Sequence, residues 1–318
     1  MQEATWLDLA HEAAARWPLQ VARIELAARR ENLVFRLIAV TGEHFALRVH
    51  RAGYRRPDEL ASELAWMQAL AQGGMSVPIP LLSLDQHLLE AVHGQHVSVL
   101  SWLSGTPMGR SGTPLCIEHR EATFHKLGCT LARLHALSDG WTPPTGFTRP
   151  QWSLDGLLGP EPLWGPFWEH PHLGAAQRRT LLHAREAATE ALQHEMPSLD
   201  QGLIHADAVR ENVLIDRERI QLIDFDDCAF GFRLFDIATA LLRNRTEPDY
   251  PALTAALCEG YRSIRPLDTT QLDLFLMLRA FTYIGWIVPR LGEQGSDARS
   301  ERFLTTGIEL AETWLSSR

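Results

Sequence analysis

Lysine is nearly absent from this sequence: Lys126 stands alone beside 29 arginines in 318 residues. Since no lysine precedes it, any long cationic side chain needed in the first hundred residues has to be an arginine. The net charge of -9 leaves no excess of positive charge, which argues against nonspecific binding to nucleic acids. We therefore expect no nucleic-acid partner.

Cysteine and long apolar runs are also scarce. The four cysteines show no C-x-x-C spacing, which argues against a zinc site and a disulfide framework and favours a reducing, cytoplasmic location. Met1–Asp8 carries acidic residues where a signal peptide has a basic start and an apolar core. The apolar stretch Leu274–Pro289 is interrupted by Arg279 and falls short of the roughly 18 residues of a membrane span. We expect it to form a buried helix, and we expect no membrane partner.

The apolar pattern divides the chain unevenly. Most of the strand-like pattern lies in the first hundred residues and helical periodicity dominates the rest, so we predict an α+β protein with a small strand-rich lobe and a larger helical lobe. Strands are predicted at Val21–Ala28, Leu33–Val40, His44–His50, Leu88–Val92 and Val97–Leu100. The first helix is predicted at Asp58–Gln72, between the third and fourth of these strands. Further helices are predicted at Glu121–Leu137, Ala175–Glu195, Phe235–Arg243, Pro251–Arg262, Gln271–Val288 and Arg302–Ser316. The segment Trp141–Trp168 is rich in Pro, Gly and Trp, which predicts an irregular insertion that could line a binding pocket.

One compact acidic segment, Leu203–Asp227, carries most of the chemical information, and we call it the catalytic cassette. Asp207 and Asn212 have the spacing H-x-D-x-x-x-x-N, and a polar turn after Asn212 predicts a hairpin that returns Asp224 close to it. Phosphoryl transfer needs a carboxylate that orients and deprotonates a hydroxyl, together with carboxylate and amide oxygens that hold Mg²⁺. The alternative is a chance spacing followed by a solvated acidic turn. The cassette therefore predicts a kinase.

At these residues the chain resembles the aminoglycoside phosphotransferase and choline kinase-like superfamily, and within it the bacterial branch of stress response kinase A and homoserine kinase type II-like proteins. The resemblance implies the two-lobed protein-kinase-like fold, with a small antiparallel-sheet N-lobe and a larger, mostly helical C-lobe. It also implies ATP and Mg²⁺ as cofactors, Asp207 as the catalytic base, and Asn212 and Asp224 as metal ligands.

The same resemblance divides the chain into three parts. Residues 1–100 would form the nucleotide-binding lobe, residues 101–105 the hinge, and residues 106–318 the helical lobe with the catalytic loop and the acceptor site. The backbone at Ser101 and Leu103 would meet the adenine edge. An ordinary strand-to-helix connection is the alternative for this hinge.

We expect an arginine to bind the phosphate groups of ATP. Kinase folds hold the α- and β-phosphates with a strand lysine paired to a helix glutamate, and the strand residue in the matching place here is Arg48. A guanidinium can contact both phosphate oxygens and Glu63, while Ala46, on the same strand face, could lie against adenine. The alternatives are an exposed arginine with a solvated glutamate, or Glu59 as the partner.

No G-x-G-x-x-G loop is present. The turn Arg29–Asn32 takes its place between the first two strands, and in the resembling family a short turn containing Glu-Asn replaces the glycine-rich loop. Asn32 and the two arginines are candidates for contacts with the nucleotide. An ordinary charged hairpin turn is the other interpretation.

Four further residues are expected to support the site. Asp226 and Asp227 could add a metal contact, receive a cationic substrate, or be solvated. Asp236 is placed to cap a helix or to accept hydrogen bonds from catalytic-loop amides. His205 is expected to be structural.

The predicted function is ATP- and Mg²⁺-dependent phosphorylation of a hydroxyl on a small metabolite, such as an amino alcohol, an amino acid or an amino sugar. Only 11 residues separate Asp224 from Asp236, too few for the long activation segment of a regulated protein kinase. A protein Ser/Thr kinase, as stress response kinase A implies, is the alternative, and a nucleotide-binding pseudokinase acting as a partner-binding switch is a third. Acidic residues near the site favour a cationic acceptor, whereas Arg210, Arg233 and Arg279 could attract a carboxylate or phosphate. The sequence does not predict the oligomeric state.

Overall fold

The computed structural model describes residues 3–29 and 32–318. Its strands are β1 Val21–Arg29, β2 Leu33–Ala39, β3 His44–Val49, β4 Glu90–Val92, β5 Gln95–Ser101, β6 Thr106–Pro107, β7 Gln151–Trp152, β8 Gln201–Ile204, β9 Val213–Asp216, β10 Arg219–Leu222 and β11 Ala229–Phe232. Its α-helices are α1 Glu3–Ala14, α2 Pro57–Gln72, α3 Arg120–Gly140, α4 Leu154–Leu158, α5 Ala175–Glu195, α6 Arg233–Leu242, α7 Tyr250–Arg262, α8 Leu272–Ile287 and α9 Ser296–Ser316. Short 3₁₀ helices occupy Phe167–Glu169 and Val288–Arg290.

The chain divides into two compact units. The sheet unit comprises Met1–Pro107, Gly140–Arg149 and Val213–Asp226. The helical unit comprises Met108–Asp139, Pro150–Asn212 and Asp227–Arg318. Asp207 and Asn212 therefore belong to the helical unit, whereas Arg48, Glu63 and Asp224 belong to the sheet unit.

The sheet unit is built on five antiparallel strands in the order β1-β2-β3-β5-β4. Leu47 and Val49 of β3 are buried in an apolar core on one face, with Phe45 packed against the same core. Because side chains alternate along a strand, Arg48 points to the opposite face, where it is also buried. Helix α1 covers the apolar face with Leu9 and other small and apolar residues.

A second, three-stranded sheet in this unit has the order β10-β9-β6. Strands β9 and β10 form an antiparallel hairpin in which Val213 pairs with Leu222. Gly105, at φ +114°, lies just before β6, and a Cβ there would come within 2.8 Å of the carbonyl oxygen of Ile215. Glycine at 105 thus lets the chain after β5 pair closely with β9.

The helical unit packs mainly through α6, α8 and α9. Helix α8 is buried along most of its length: in the span Leu272–Arg290, 72% of the most apolar window lies inside the protein. This is the pattern of a core helix, as the interrupting Arg279 predicts. A small sheet in the order β7-β11-β8 completes the unit and leads directly into the catalytic cassette.

The predicted α+β class is confirmed, with the antiparallel sheet near the N-terminus and helices dominating the remainder. The helix predicted at Ala175–Glu195 is found with the same bounds, and the other predicted elements differ at their ends by a few residues, most at the start of α9. The sequence analysis did not assign helices α1 and α4 or strands β6, β7, β8 and β11, and α4 and β7 lie within the segment Trp141–Trp168 that it predicted to be irregular. Arg30 and Glu31, in the turn expected to approach the nucleotide, lie outside the described residues.

Candidate active site

The hairpin after the catalytic cassette forms as the apolar pattern predicts. Val213, the residue after Asn212, pairs with Leu222, which lies two residues before Asp224. Asp224 is exposed and has a φ of +65°, a left-handed conformation that costs an L-residue about 1–3 kcal/mol. The backbone at Asp224 is therefore held in a conformation that local sequence preferences alone would not select.

Asp207 is the centre of a small network in the helical unit. Its Oδ2 accepts a hydrogen bond from Asn212 Nδ2 at 2.8 Å, and its backbone carbonyl accepts a second from the same amide at 3.0 Å. Its Oδ1 accepts from Arg279 Nη2 at 2.8 Å. About 22% of the Asp207 side chain stays exposed, so the carboxylate is fixed in orientation yet accessible.

The protonation equilibrium of Asp207 reflects opposing effects. Burial raises the pKa of its carboxyl to about 7, and the negative charges of Asp227 and Glu211 act in the same direction. The guanidinium groups of Arg279 and Arg243 lower the pKa. A carboxyl group with this pKa is suited to accept a proton near neutral pH.

Arg279 is a fully buried cation enclosed by aromatic rings. Its Cζ lies 4.1 Å from the ring centroid of Tyr283, 4.9 Å from that of Trp164 and 5.3 Å from that of Phe235. The Tyr283 hydroxyl also accepts a hydrogen bond from Arg279 Nη2 at 2.9 Å. Aromatic faces compensate part of the lost hydration of the guanidinium, so its charge can persist beside Asp207.

A buried aspartate holds the loop that presents Asp207. Asp236 accepts hydrogen bonds from the backbone N–H groups of His205 at 2.8 Å and Ala206 at 2.6 Å, and its Oδ2 also lies 3.0 Å from His135 Nε2. Burial opposes ionisation of Asp236, but these hydrogen bonds and charges outweigh it and lower its pKa. Of the two roles foreseen for Asp236, the structure shows the acceptor for loop amides.

His205 has a structural contact in this loop. It is buried, and its Nδ1 accepts a hydrogen bond from the backbone N–H of Asp207 at 3.2 Å. Ala206, between the two, has a φ of +64°, so the loop turns through a left-handed residue immediately before Asp207.

The sheet unit contains a buried ionic cluster around Arg48. Its Nη1 donates to Glu63 Oε1 at 2.7 Å, and its Nη2 donates to Asp226 Oδ1. Asn32 Nδ2 donates to the other oxygen of Asp226. Glu63 is fully buried and belongs to α2, so the strand arginine, the helix glutamate and the segment after Asp224 are tied together.

The charges of this cluster stabilise one another. Burial disfavours the charged guanidinium, but Asp226 and Glu63 together outweigh it and raise the pKa of Arg48. Burial likewise opposes ionisation of Asp226, and Arg48 overcomes it, so the pKa of Asp226 is lowered. For Glu63 burial prevails over Arg48 and the pKa is raised. Arg149 adds hydrogen bonds from its guanidinium to the carbonyl oxygens of Asp226 and Glu59.

Asp226 thus differs from its predicted roles. Its carboxylate is 10% exposed and engaged by Arg48 and Asn32, which leaves it inside the cluster instead of facing a cation or a substrate. Asp227 is half-buried in the helical unit and acts electrostatically on Asp207. Glu59, the fallback partner for Arg48, instead accepts a hydrogen bond from the N–H of Arg56 at the start of α2.

The residues expected near adenine lie on or just after the central strands of the sheet unit. Ala46 is on β3, opposite Leu100 of β5, and is half-buried. The backbone N–H of Ser101 donates to the Ile79 carbonyl at 2.8 Å. Within the described residues, no protein group accepts a hydrogen bond from the N–H of Leu103.

The sequence analysis assigned a divalent cation to the amide oxygen of Asn212, in the helical unit, and the carboxylate of Asp224, in the sheet unit. Because Asn212 donates both its hydrogen bonds through Nδ2, its Oδ1 points away from Asp207 and accepts no hydrogen bond from the described part of the chain. Amide and carboxylate oxygens are the hard ligands that Mg²⁺ prefers, so these residue types fit such an ion. The described residues contain no cluster of three or more His, Cys, Asp or Glu arranged around a metal.

Several contacts in both units were not foreseen from the sequence. The sequence analysis singled out Arg279 as an attractor of anions, but not as the partner of Asp207 or as the centre of the aromatic enclosure. Asp226 as an ionic partner of Arg48, and Arg149 beside it, were also missed. The one signal for Arg279 was a lone charge in an otherwise apolar helix.

Comparison with known proteins places the chain among kinases. A homoserine kinase of Sinorhizobium medicae (strain WSM419) is 30% identical over 242 residues, covering 74% of this chain and 68% of that protein. The structure of a microcompartment-associated aminopropanol kinase has a TM-score of 0.84 and 28% identity, covering 98% of both chains. Amicoumacin kinase hAmiN, solved with AMP-PNP, Ca²⁺ and Ami, has a TM-score of 0.76 at 20% identity, covering 98% of this chain and 94% of that chain.

These similarities confirm the predicted protein-kinase-like fold. A family model described as phosphotransferase enzyme family, APH, matches residues 23–269, which include most of β1, the Arg48 cluster and the whole catalytic cassette. The chain therefore belongs to the phosphotransferase enzyme family, as the resemblance to aminoglycoside phosphotransferases predicts.

Proposed function

We propose that this ATP-dependent phosphotransferase transfers the γ-phosphoryl group, with Mg²⁺, to a hydroxyl of a small metabolite that carries an amino group: an amino alcohol, an amino acid or an amino sugar. The arrangement of Asp207 carries the proposal. Its carboxylate is accessible, is oriented by Asn212 and Arg279, and has a pKa of about 7. The names of the homoserine kinase and aminopropanol kinase relatives support acceptors of this class.

In this proposal Asp207 Oδ2 accepts the proton of the acceptor hydroxyl as its oxygen attacks the γ-phosphorus. Arg279 stays bound to Oδ1 and fixes the carboxylate plane, so that the base does not rotate away from the hydroxyl. Asn212 and Asp224 would hold Mg²⁺, which neutralises charge on the phosphate oxygens when bound.

The nucleotide is assigned to the sheet unit. Arg48 would release part of its contact with Asp226 to bind phosphate oxygens while Glu63 holds it from behind. Asn32 would contribute at the turn between β1 and β2, and Ala46, Ser101 and Leu103 would meet the base. Residues 1–100 are the proposed nucleotide-binding lobe, with 101–105 as the hinge and 106–318 carrying the catalytic loop and acceptor site. We propose a cytoplasmic location.

ADP release with Mg²⁺-ATP and a panel of hydroxyl-bearing amines, amino acids and amino sugars tests this function. We expect acceptor-dependent turnover that Asp207→Asn lowers by about a hundredfold or more, because general base catalysis typically contributes that much. Asp85→Asn, at an exposed position of the sheet unit, is the matched control and should leave turnover unchanged. If no acceptor stimulates ADP release, or if Asp207→Asn keeps full activity, the proposal is wrong.

A further inference from the structure

Arg243 is a cation for which the described residues provide no salt-bridge partner. It follows the last residue of α6, and its Cζ lies 4.0 Å from the ring centroid of Tyr283 and 4.8 Å from that of Phe303. Its Nε is buried without a hydrogen-bond partner, and within the described ranges 3–29 and 32–318 its guanidinium forms no salt bridge. By contrast, Arg210 binds Glu247 at 2.7 Å. Two aromatic rings hold the guanidinium of Arg243, and no carboxylate in the described part of the chain lies within salt-bridge distance of it.

The position of Arg243 is tied to the catalytic carboxylate through one shared ring. The guanidinium carbon of Arg279 lies 4.1 Å from the Tyr283 centroid, and Arg243 lies 4.0 Å from the same point. The two guanidinium carbons are therefore no farther apart than the sum of these distances, and Arg279 touches Asp207 directly. Arg243 also acts on the Asp207 carboxyl, whose pKa it lowers.

The surroundings of Asp207 carry both signs of charge. Asp227 and Glu211 lie close enough to raise the pKa of Asp207, while the two arginines lower it. Glu211 is fixed by hydrogen bonds from the backbone N–H and hydroxyl of Ser111. An acceptor whose hydroxyl meets Asp207 thus finds acidic groups for an ammonium and one unpaired guanidinium for an anion.

Resting on the proposed function, we propose that Arg243 binds a carboxylate of the acceptor, so that the preferred substrate is a hydroxy amino acid and not the corresponding amino alcohol. A planar guanidinium binds a carboxylate through two parallel hydrogen bonds, and the Tyr283 and Phe303 rings already hold the position of this one. The two rings reduce the conformational entropy that binding would otherwise cost.

Matched pairs that differ by the carboxylate test this proposal. L-Homoserine is compared with 3-aminopropan-1-ol, and L-threonine with 1-aminopropan-2-ol, by ADP release under Mg²⁺-ATP. In the native enzyme, the amino acid of at least one substrate pair should have a kcat/KM about tenfold to a hundredfold higher than the amino alcohol. This factor corresponds to the free energy of one charge-assisted hydrogen-bonded contact. Arg243→Gln should remove this preference by raising the KM for the amino acid. The loss of its charge beside Asp207 acts on both members of a pair, so the ratio of their kcat/KM values is the quantity compared.

Two further variants separate binding from structure. Arg243→Lys keeps the charge but loses the planar fork, so it should retain part of the preference. Arg245→Gln removes a partly buried arginine that pairs with Glu309 and should change the kcat/KM of neither member of a pair. The inference is overturned if the native enzyme prefers the amino alcohols, or if Arg243→Gln lowers kcat/KM equally for both members of a pair. The proposed function stands in either case. Absence of ADP release with every hydroxyl compound overturns both.

Discussion

Removal of Arg48 should destabilise the protein strongly, and more at pH 8 than at pH 5.5. In Arg48→Ala, Glu63 loses its 2.7 Å partner and Asp226 loses its ion pair, which leaves two buried carboxyl groups without the cation that balances them. Removing one partner of a buried ion pair costs about 3–5 kcal/mol. This is a large part of the 5–15 kcal/mol by which folded proteins are typically stable, so the variant should fold but unfold early.

The pH dependence follows from the direction of the pKa changes. The pKa of Glu63 is already raised in the native protein, and without Arg48 both carboxyl groups lose the cation that most favours their ionised forms, so we expect their folded-state pKa values to rise. A carboxyl group with a raised folded pKa contributes most stability below its unfolded pKa and loses it as the pH rises toward the folded pKa. The stability lost in Arg48→Ala should therefore be smaller at pH 5.5 by about 1–3 kcal/mol, the equivalent of one to two pKa units.

Urea unfolding followed by tryptophan fluorescence at both pH values measures these differences. Arg23→Ala is the matched control, because Arg23 is also a strand arginine of the sheet unit but pairs with Glu25 on the surface, with 66% of its side chain exposed. The control should lose at most about 1 kcal/mol, as exposed ion pairs do. A loss below about 1 kcal/mol for Arg48→Ala at pH 8, or an equal loss at both pH values, would refute the reasoning.

Three further predictions concern other parts of the molecule. Burial lowers the pKa of His50 to about 3, so unfolding takes up a proton below pH 6.5, and stability should fall by about 2 kcal/mol from pH 7 to pH 5. His50→Gln should reduce this pH dependence of the free energy of unfolding, measured in urea. An unchanged pH dependence would contradict the prediction. Asp236→Asn should lower the free energy of unfolding by about 2–4 kcal/mol and lower kcat, because the new amide nitrogen would face a backbone N–H of the catalytic loop. Calorimetry measures the stability and turnover assays measure kcat. Native-like values of the two would contradict the prediction. Gly285→Ala would place a Cβ 2.5 Å from the carbonyl oxygen of Trp164, so it should destabilise by about 1–3 kcal/mol and raise the acceptor KM while leaving the KM for ATP unchanged. A shift in the KM for ATP alone would contradict this last expectation.

Local pattern was sufficient for most elements of the fold. The alternation in β3 and the helical spacing in α2 place Arg48 and Glu63 on facing sides of their elements, so their contact follows from two short stretches of sequence. The β9–β10 hairpin likewise follows from a polar turn between two apolar runs. Helix α1 was missed although Leu9, Ala10 and Ala13 have helical spacing, because small alanines weaken the apolar contrast on which the pattern depends.

Contacts between distant segments could not be read in the same way. Asp226 is separated from Arg48 by 178 residues, and no periodicity relates them. The sequence shows that a carboxylate follows Asp224, but only packing decides whether it faces a ligand or an arginine. Arg279 presents the same difficulty, since a charge in an apolar helix predicts an internal partner without identifying Asp207 as that partner.

The arginine at position 48 has a consequence for chemical modification. Amine-directed reagents, including acylating analogues of nucleotides that capture a lysine in the phosphate site of kinases, find no lysine side chain in the sheet unit, because Lys126 lies in the helical unit. Lysine acetylation cannot reach the cluster for the same reason. The proposed phosphate-binding cluster thus contains no target for lysine-directed covalent probes, and a label on Lys126 would report on the protein without touching Arg48.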